Sequence, residues 1–579
     1  MQSFLTDVLA VANAMKFANL MRSLFSNNLA MQIEIEVNGQ ILKTRKGDIL
    51  LSVLNQNGIR VPTLCSMEGF PPTGACRLCI VEVEGMADLV PACSYPVEEW
   101  MKVNTHSARV IQARRTIVEL LISNHPDECL YCFQNKHCEL QKLATELNVM
   151  ERKGRTRQFT RKIDRSSPSI IHDASKCVLC GRCIRICDHQ RVSALEFISR
   201  GTEMRVGTVG DKGLSSSDCI SCGQCIRVCP TGSLQEKGHL DELISHLHQK
   251  QQQVIALVDP AVMVSIGDEL GFRSGKDVSG LLFSALRKIG FDQVHSGSES
   301  VDITMFQAAR LWKHTATKGP GPSLISFCPS WMQYIENLRP DLMSCVLPVL
   351  SPAQTFGRLI KDINTNSYIV YFSPCVGSKM ESQKAEHQKE GIPYLNSVMS
   401  TRELIQLIQL FGIDFDRINN EVPDSLLNSV PMSRLLSSLS GGYMEGLMKA
   451  ISVVDPDNYS LDGNKAKFRG PKSCKKNIML HYTIEQKWTA CSTLDEGINL
   501  IDQSMQSKYP ELFEIMACPG GCINGGGQPG NKSDKVNKPR IKEIYDQDSE
   551  LSGQISQLYA EVSKVSKKLP VLELKAKED

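Results

Sequence analysis

The sequence predicts a multi-domain chain of class α+β and α/β, with small cysteine-bearing modules first and an α/β domain after them. Three observations carry this. Of 22 cysteines, 15 fall before Pro230, most in CxxC spacing. From about Lys250, short apolar strands alternate with helical stretches, the pattern of an at least partly parallel sheet. A length of 579 residues accommodates several domains. Net charge is +2, with 65 Lys+Arg against 63 Asp+Glu, so no basic face for nucleic acid is implied. Aromatics at 6% also argue against base stacking. No run of about 18 apolar residues is present, so no membrane span is expected. A disulfide scaffold needs a higher cysteine density in a shorter chain, whereas tight CxxC pairs are good metal chelators. The expectation is a large intracellular metalloprotein of a reducing compartment.

Residues 1–30 contain only three charges, Asp7, Lys16 and Arg22. Low acidity with Arg22, Ser23 and Phe25 near the end fits an organellar presequence; the alternative is a frayed or helical extension. Residues 31–105 form the first module. Ile33–Val37 alternates strictly, Asn38-Gly39 is a primed-turn pair, and Ile41-Leu42 follows, which predicts a hairpin. Asp48 then opens a helix over Ile49–Asn57 with Leu50, Leu51, Val53 and Leu54 on one face, stopped by Gly58. Residues 106–165 hold a helix over Ala108–Asn124, with Ile111, Ile117, Val118 and Leu121 inward, and a basic linker over Glu151–Ser167. Residues 166–245 carry a cysteine doublet. The α/β domain spans 250–538, with strands at Val254–Val258, Leu324–Phe327, Tyr368–Phe372 and Phe513–Ala517. Residues 539–579 read as a charged helical tail.

Four cysteine sets precede Pro230. Cys65, Cys76, Cys79 and Cys93 place a CxxC between a long loop and a distant fourth ligand. That suits a [2Fe–2S] cluster gripped by a loop on a small sheet. Zinc also takes four thiolates, but Gly74, Cys76-Arg77 and the preceding hairpin and helix match a [2Fe–2S] ferredoxin fold better. The second set is His125, Cys129, Cys132 and Cys138, which suits zinc or a [4Fe–4S] cluster. Its place between two cluster modules favours iron–sulfur. His137, beside Cys138, is read as solvent-exposed. The third and fourth sets are Cys177, Cys180, Cys183, Cys187 and Cys219, Cys222, Cys225, Cys229-Pro230. In such a doublet three close cysteines wrap one cubane and the fourth reaches the other. One [4Fe–4S] cluster is therefore assigned Cys177, Cys180, Cys183 and Cys229; the other takes Cys219, Cys222, Cys225 and Cys187. Asp188 stands where the first run would carry proline. Together the four sites form an electron wire.

Three of the seven remaining cysteines, Cys345, Cys474 and Cys491, are read as packing residues. The other four, Cys328, Cys375, Cys518 and Cys522, follow predicted strands. Ligands of open α/β sheets bind beyond the carboxyl ends of strands, so these thiolates are expected to hold a fifth, cubane cluster. Gly520, Gly521, Gly525, Gly526 and Gly527 permit close backbone approach to it. No Gly-Lys-Ser/Thr follows, which excludes a phosphate loop.

The run Ala517-Cys518-Pro519-Gly520-Gly521-Cys522 to Pro529 resembles the third signature of [FeFe]-hydrogenases. Phe327-Cys328-Pro329-Ser330-Trp331 resembles the first signature, and Pro374-Cys375 with Glu381 the second. Ser351–Gly357 and Gly441–Glu445 are similar to further family stretches. The resemblance covers residues from about 31 to about 545 and implies N-terminal ferredoxin-like cluster modules followed by an α/β H-cluster domain. It implies one [2Fe–2S] cluster, three accessory [4Fe–4S] clusters and one H-cluster, a cubane bridged by a cysteine to a diiron subsite carrying carbon monoxide and cyanide. By motif position Cys328, Cys375, Cys518 and Cys522 bind the cubane, Cys522 bridges, and Met516 lies near the diiron subsite. The implied reaction is reversible reduction of protons to H2, with ferredoxin or a similar electron donor as partner and maturation proteins supplying the diiron unit.

Departures from the family cluster around that subsite. The proton-passing cysteine before the first ligand is Phe327, and the relay glutamates correspond to Ala308 and Leu311. The lysine three after the second-loop cysteine is Ser378, and Lys379, one place later, is expected to reach the same site in its stead. Ser373, Asp259 and Ala353 replace other family residues. The expectation is an intact electron chain with proton delivery rerouted or impaired. Two alternatives stand beside the enzyme: a hydrogenase-derived paralogue with little turnover, acting as electron-transfer subunit or H2 sensor, and a complex I-like electron-input subunit. A presequence-like start suggests a hydrogenosome or mitochondrion-like matrix, the alternative being the cytoplasm.

Overall fold

The computed structural model describes residues 32–150, 163–274, 276–315, 321–325, 327–426, 436–455, 474–480, 485–507, 510–529, 538–542 and 544. The expected presequence and nearly all of the C-terminal tail lie outside these residues. The chain divides into two compact units. One comprises residues 1–161, 175–182 and 230–232; the other comprises 162–174, 183–229 and 233–579.

In the first unit, β1 (Gln32–Val37) and β2 (Gln40–Arg45) form the expected hairpin. Asn38 and Gly39 both adopt positive φ, at 49° and 81°, as a primed turn demands. Strict alternation sends Ile33, Ile35 and Val37 into the core, worth roughly 1.5–3 kcal/mol each. With β3 (Ile80–Val83), β4 (Val90–Pro91) and β5 (Lys102–Asn104) the sheet order is β2-β1-β5-β3-β4. Helix α1 (Leu50–Gln56) buries Leu50, Leu51, Val53 and Leu54 as expected. Asp48 does not cap it: its carboxylate instead accepts from Thr44 Oγ1 and the Arg45 amide, tying down the hairpin end. Helix α2 (Ala108–Ser123) packs Val118, Ile117 and Leu121 inward as expected, with one exception and one addition. Ile111 is exposed, and Arg114 is buried because its guanidinium donates to the carbonyls of Leu78 and Ile80 at 3.0 and 2.7 Å.

In the second unit the described end of the expected linker, residues 163–167, opens a small sheet. Ile163–Asp164 pairs with Ile170–Asp173, which pairs with Leu234–Glu236. Two four-stranded sheets follow. The first contains β6 (Val254–Val258), β7 (Gln293–Ser296), β9 (Tyr368–Ser373) and β10 (Ser397–Ser400), all parallel in the order β7-β6-β9-β10. The second contains β8 (Gly321–Ile325), β11 (Cys474–Leu480), β12 (Glu485–Cys491) and β13 (Pro510–Ile515), in the order β8-β13-β12-β11. Only β11 runs antiparallel there. Helices cover both faces, which is why β6 and β9 are buried along their whole length. The expected partly parallel sheet is thus two sheets, and the cysteine-bearing strands are shared between them.

Candidate iron–sulfur sites and the terminal cysteine centre

In the first unit, Cys65, Cys76, Cys79 and Cys93 come together. The Cys65 thiol is pulled down to about 5, chiefly by a hydrogen bond from Cys76, while Cys79 is pushed up to about 12 by burial and by neighbouring Cys93 and Cys65. Arg77 and Gly74 take positive φ, so the loop wraps inward on itself. The Leu64 amide points at Cys76 Sγ, 3.3 Å away, as donors around a cluster do. The second set also meets. His125, Cys129, Cys132 and Cys138 line one cavity of about 150 Å³, and Cys138 is pushed up by burial and by the two other thiols. His137 is exposed and lies outside it.

The doublet repeats in backbone as well as in sequence. Leu179 and Ser221 occupy equivalent left-handed positions, with φ of 54° and 53°, each followed by a positive-φ glycine two residues on, Gly181 and Gly223. Within the second unit, Cys187 stands beside Cys219 and Cys222; burial raises all three thiols, Cys187 adds its charge at Cys219 and Cys222, and Asp188 adds its own at Cys187. Cys225 is raised by burial and by the same group together with Cys183. Of the other set, Cys177 and Cys180 belong to the first unit, Cys183 and Cys229 to the second.

The terminal cysteines follow three strand ends. Cys328 comes after β8 and is the N-cap of the helix Pro329–Leu338. Cys375 comes after β9, and Cys518 and Cys522 after β13. Every thiol is raised first by burial; neighbouring charges add to it, Cys518 and Cys328 at Cys375, Asp259 and then the other three thiols at Cys522, and Glu381 at Cys328. Cys518 is pushed up to about 11. A cationic metal core relieves such crowding by taking thiolates directly. Among the described residues no group of three or more His, Cys, Asp or Glu side chains is arranged to hold a single metal ion.

Donors already aim at the sulfurs. Backbone amides of Ala517, Trp331 and Ser330 serve Cys328; those of Gly377 and Ser378 serve Cys375. The Gln224 amide donates to Cys518 Sγ at 3.2 Å. The glycine run is required by crowding. A Cβ on Gly525 would lie 2.2 Å from Pro374 O, and one on Gly526 would lie 2.4 Å from Cys222 O. The loop bearing Cys222 therefore packs backbone against backbone on the terminal centre. These thiolates, donors and close approaches fit an iron–sulfur cubane.

A cavity adjoins Cys375 and Cys522, walled by Asp259, Phe327, Ser351, Tyr371, Glu381 and Tyr443 among others. Asp259 caps the helix Pro260–Ser265 and accepts from Tyr371 Oη at 2.6 Å; burial lifts its carboxyl to about 6. Glu381 is likewise raised by burial. Phe327 packs on Tyr443 with ring centroids 5.2 Å apart, in one apolar core with Met516, Ala308 and Leu347, and Leu311 packs against that core. Met516 packs behind Phe327 and is not among the residues lining the cavity. Lys379 does not reach the cavity. Its ammonium is bound by Glu403 Oε2 at 2.7 Å and the Lys237 carbonyl at 2.8 Å, so Ser378 alone faces inward. Cys345 is half-buried against an apolar cluster, as expected. Cys491 is buried but disulfide-bonded, a departure from the packing role expected of it; Cys474 stands opposite it in register.

Sequence reasoning missed Gln224 and Tyr371, and noted Tyr443 only as part of the stretch Gly441–Glu445. A glutamine between two cysteine ligands could have been noticed; Tyr371 carries no local signal. It also missed Arg402, which donates to Glu236 and to the carbonyls of Gly526 and Gln528, anchoring the glycine loop.

The chain is thus a multi-cluster iron–sulfur oxidoreductase, with ferredoxin-like modules ahead of an α/β domain. Family comparison agrees part by part. Residues 252–526 match the iron-only hydrogenase large subunit, C-terminal domain. Residues 30–108 match a 2Fe-2S cluster-binding domain, 114–153 the NADH-ubiquinone oxidoreductase-G iron–sulfur region, and 176–233 a 4Fe-4S dicluster domain. The chain is 32% identical to the NADP-reducing hydrogenase subunit HndD of Solidesulfovibrio fructosivorans, over 89% of this chain and 92% of that protein. It is 30% identical to iron hydrogenase 1 of Clostridium pasteurianum, over 90% and 93%. A solved [FeFe]-hydrogenase structure, described as revealing stepwise H-cluster assembly, shares the fold with a TM-score of 0.50 at 20% identity, over 59% of this chain and 96% of that one. The chain belongs to the iron-only, or [FeFe]-, hydrogenase family.

Proposed function

We propose that this protein interconverts protons and H2, with electrons passing from reduced ferredoxin or a similar donor along one [2Fe–2S] and three [4Fe–4S] clusters to an H-cluster. Cys328, Cys375, Cys518 and Cys522 would hold the cubane, and Cys522 would also carry the diiron unit that maturation proteins supply. That unit, when bound, provides the open iron site at which protons and electrons combine. The chain's own residues do the rest: amides at the sulfurs stabilise the reduced cluster, and Phe327 and Tyr443 exclude water from one side. The carrying observation is the convergence of four raised, buried thiols beside the Cys222 loop. None of the described helices is long and apolar enough to cross a membrane. A hydrogenosomal or mitochondrion-like matrix is the proposed location.

A second reading, a paralogue of low turnover, is favoured by one feature: the relay positions are Phe327, Ala308 and Leu311, packed into or against an apolar core. A hydrogen assay on the matured protein with reduced ferredoxin separates the two. The enzyme reading predicts sustained evolution, and infrared bands of bound carbon monoxide and cyanide without evolution would favour the paralogue.

A further inference from the structure

Two cavities in the second unit share a wall. The first is the one beside Cys375 and Cys522; the second is a cleft that includes Glu336, Lys384, Glu386 and His387. Pro329, Ser351 and Glu381 line both. Of these three, only Ser351 and Glu381 can carry a proton. We propose that protons reach the terminal centre through this wall, with Glu381 as the transferring carboxyl, in place of the family relay blocked by Phe327. This deepens the hydrogenase reading and rests on it.

Three observations support the route. Glu381 is 7% exposed and lies on the short helix Gly377–Glu381, so the strand end that places Cys375 also fixes the carboxyl beside the cavity. Ser351 and Gln354 turn their side chains toward the Glu381 carboxyl as hydrogen-bonding neighbours. Polar groups held against a buried carboxyl in such a wall are what a water-assisted proton path needs. On the cleft side, His387 Nδ1 donates to the Glu381 carbonyl at 2.8 Å, which holds the ring against the wall. Glu336 and Lys384 form an ion pair in that cleft, and Glu386 is exposed at it.

The charged groups facing Glu381 are His387 and Lys384 from its own loop and Cys328 from the β8 end. Burial outweighs the two bases and lifts the carboxyl, so it holds a proton more readily than an exposed glutamate. Across the cavity the next carboxyl is Asp259, faced by Tyr371, Tyr443 and Cys522. Each passage breaks one O–H bond at Glu381 and remakes it with a proton drawn from the cleft. No electron moves in the relay. Two passages match the two electrons that the clusters deliver per H2.

The test uses the matured full chain. Infrared bands of bound carbon monoxide and cyanide are recorded first, because their absence from the parent sinks the hydrogenase reading and the route with it. With those bands present, Glu381→Gln is expected to lower hydrogen evolution by roughly 10²–10⁴-fold, with unchanged bands and unchanged reduction of the accessory clusters. Glu381→Asp should recover part of the rate. Independently of turnover, reduction of the parent should perturb a protonated-carboxyl stretch that shifts in D2O and is missing in Glu381→Gln. Parent-rate turnover in Glu381→Gln, or a parent carboxyl signal surviving that substitution, overturns the route while leaving the hydrogenase reading intact.

Discussion

Phe327 and Asp259 illustrate how single residues set the chemistry around an otherwise preserved cysteine centre. Phe327 packs its ring, tilted, on Tyr443 and cannot carry a proton. Phe327→Cys alone should leave hydrogen evolution within about tenfold of the parent, well short of the 10²–10⁴ typical of a restored acid–base group, because Ala308 and Leu311 still interrupt that side. A larger gain would show that Phe327 is the sole obstruction. Asp259 makes a pH prediction. Its folded carboxyl sits at about 6 against an ordinary 3.8, so the folded state holds the proton more tightly than the unfolded chain. Stability therefore falls as pH rises from about 4 to 6 and stays lower above that window. Asp259→Asn removes the penalty. Denaturant midpoints should show it stabilised relative to the parent by up to about 3 kcal/mol more at pH 7 than at pH 4.

At the scale of elements, the glycine loop and the buried Lys379–Glu403 pair hold the site. Gly526→Ala would press a methyl group onto Cys222 O and the Gly223 backbone. The loops must part, at about 1–3 kcal/mol, and the terminal cluster should fill with electrons more slowly in stopped-flow reduction. Lys379 and Glu403 are 1% and 3% exposed, and Glu403 also closes the capping box of the helix Thr401–Leu410. Lys379→Met leaves that carboxylate uncompensated and should lower stability by about 3–5 kcal/mol in urea. Local rules made much of this legible. The hairpin and α1 follow from alternation and turn chemistry, and the doublet follows from spacing alone. Asp48 looked like a helix cap because its position is right, yet the hairpin end competes for its carboxylate. Ile111 looked inward because periodicity cannot foresee that two free carbonyls of the Cys79 loop draw Arg114 inside. Lys379 looked able to reach the cavity because a carboxylate 24 residues later in the chain is invisible to local pattern.

For the whole molecule, the proposed electron path ends within the second unit, where backbone meets backbone at Gly223 and Gly526. The cysteine sets were legible because metal ligation imposes spacing on sequence. The two-sheet origin of the terminal centre was not, since strand pairing between β8 and β13 joins residues nearly two hundred positions apart. The proton side was legible only as an absence, through Phe327, Ala308 and Leu311; the wall formed by Ser351 and Glu381 required the fold. The central claim is that Cys522 joins the cubane to a diiron unit. Its most direct test is infrared and paramagnetic resonance spectroscopy of matured parent and Cys522→Ser side by side. The account predicts carbon monoxide and cyanide bands in the parent, none in the variant, and the same reducible accessory clusters in both. A parent that holds its accessory clusters but shows no such bands would contradict it.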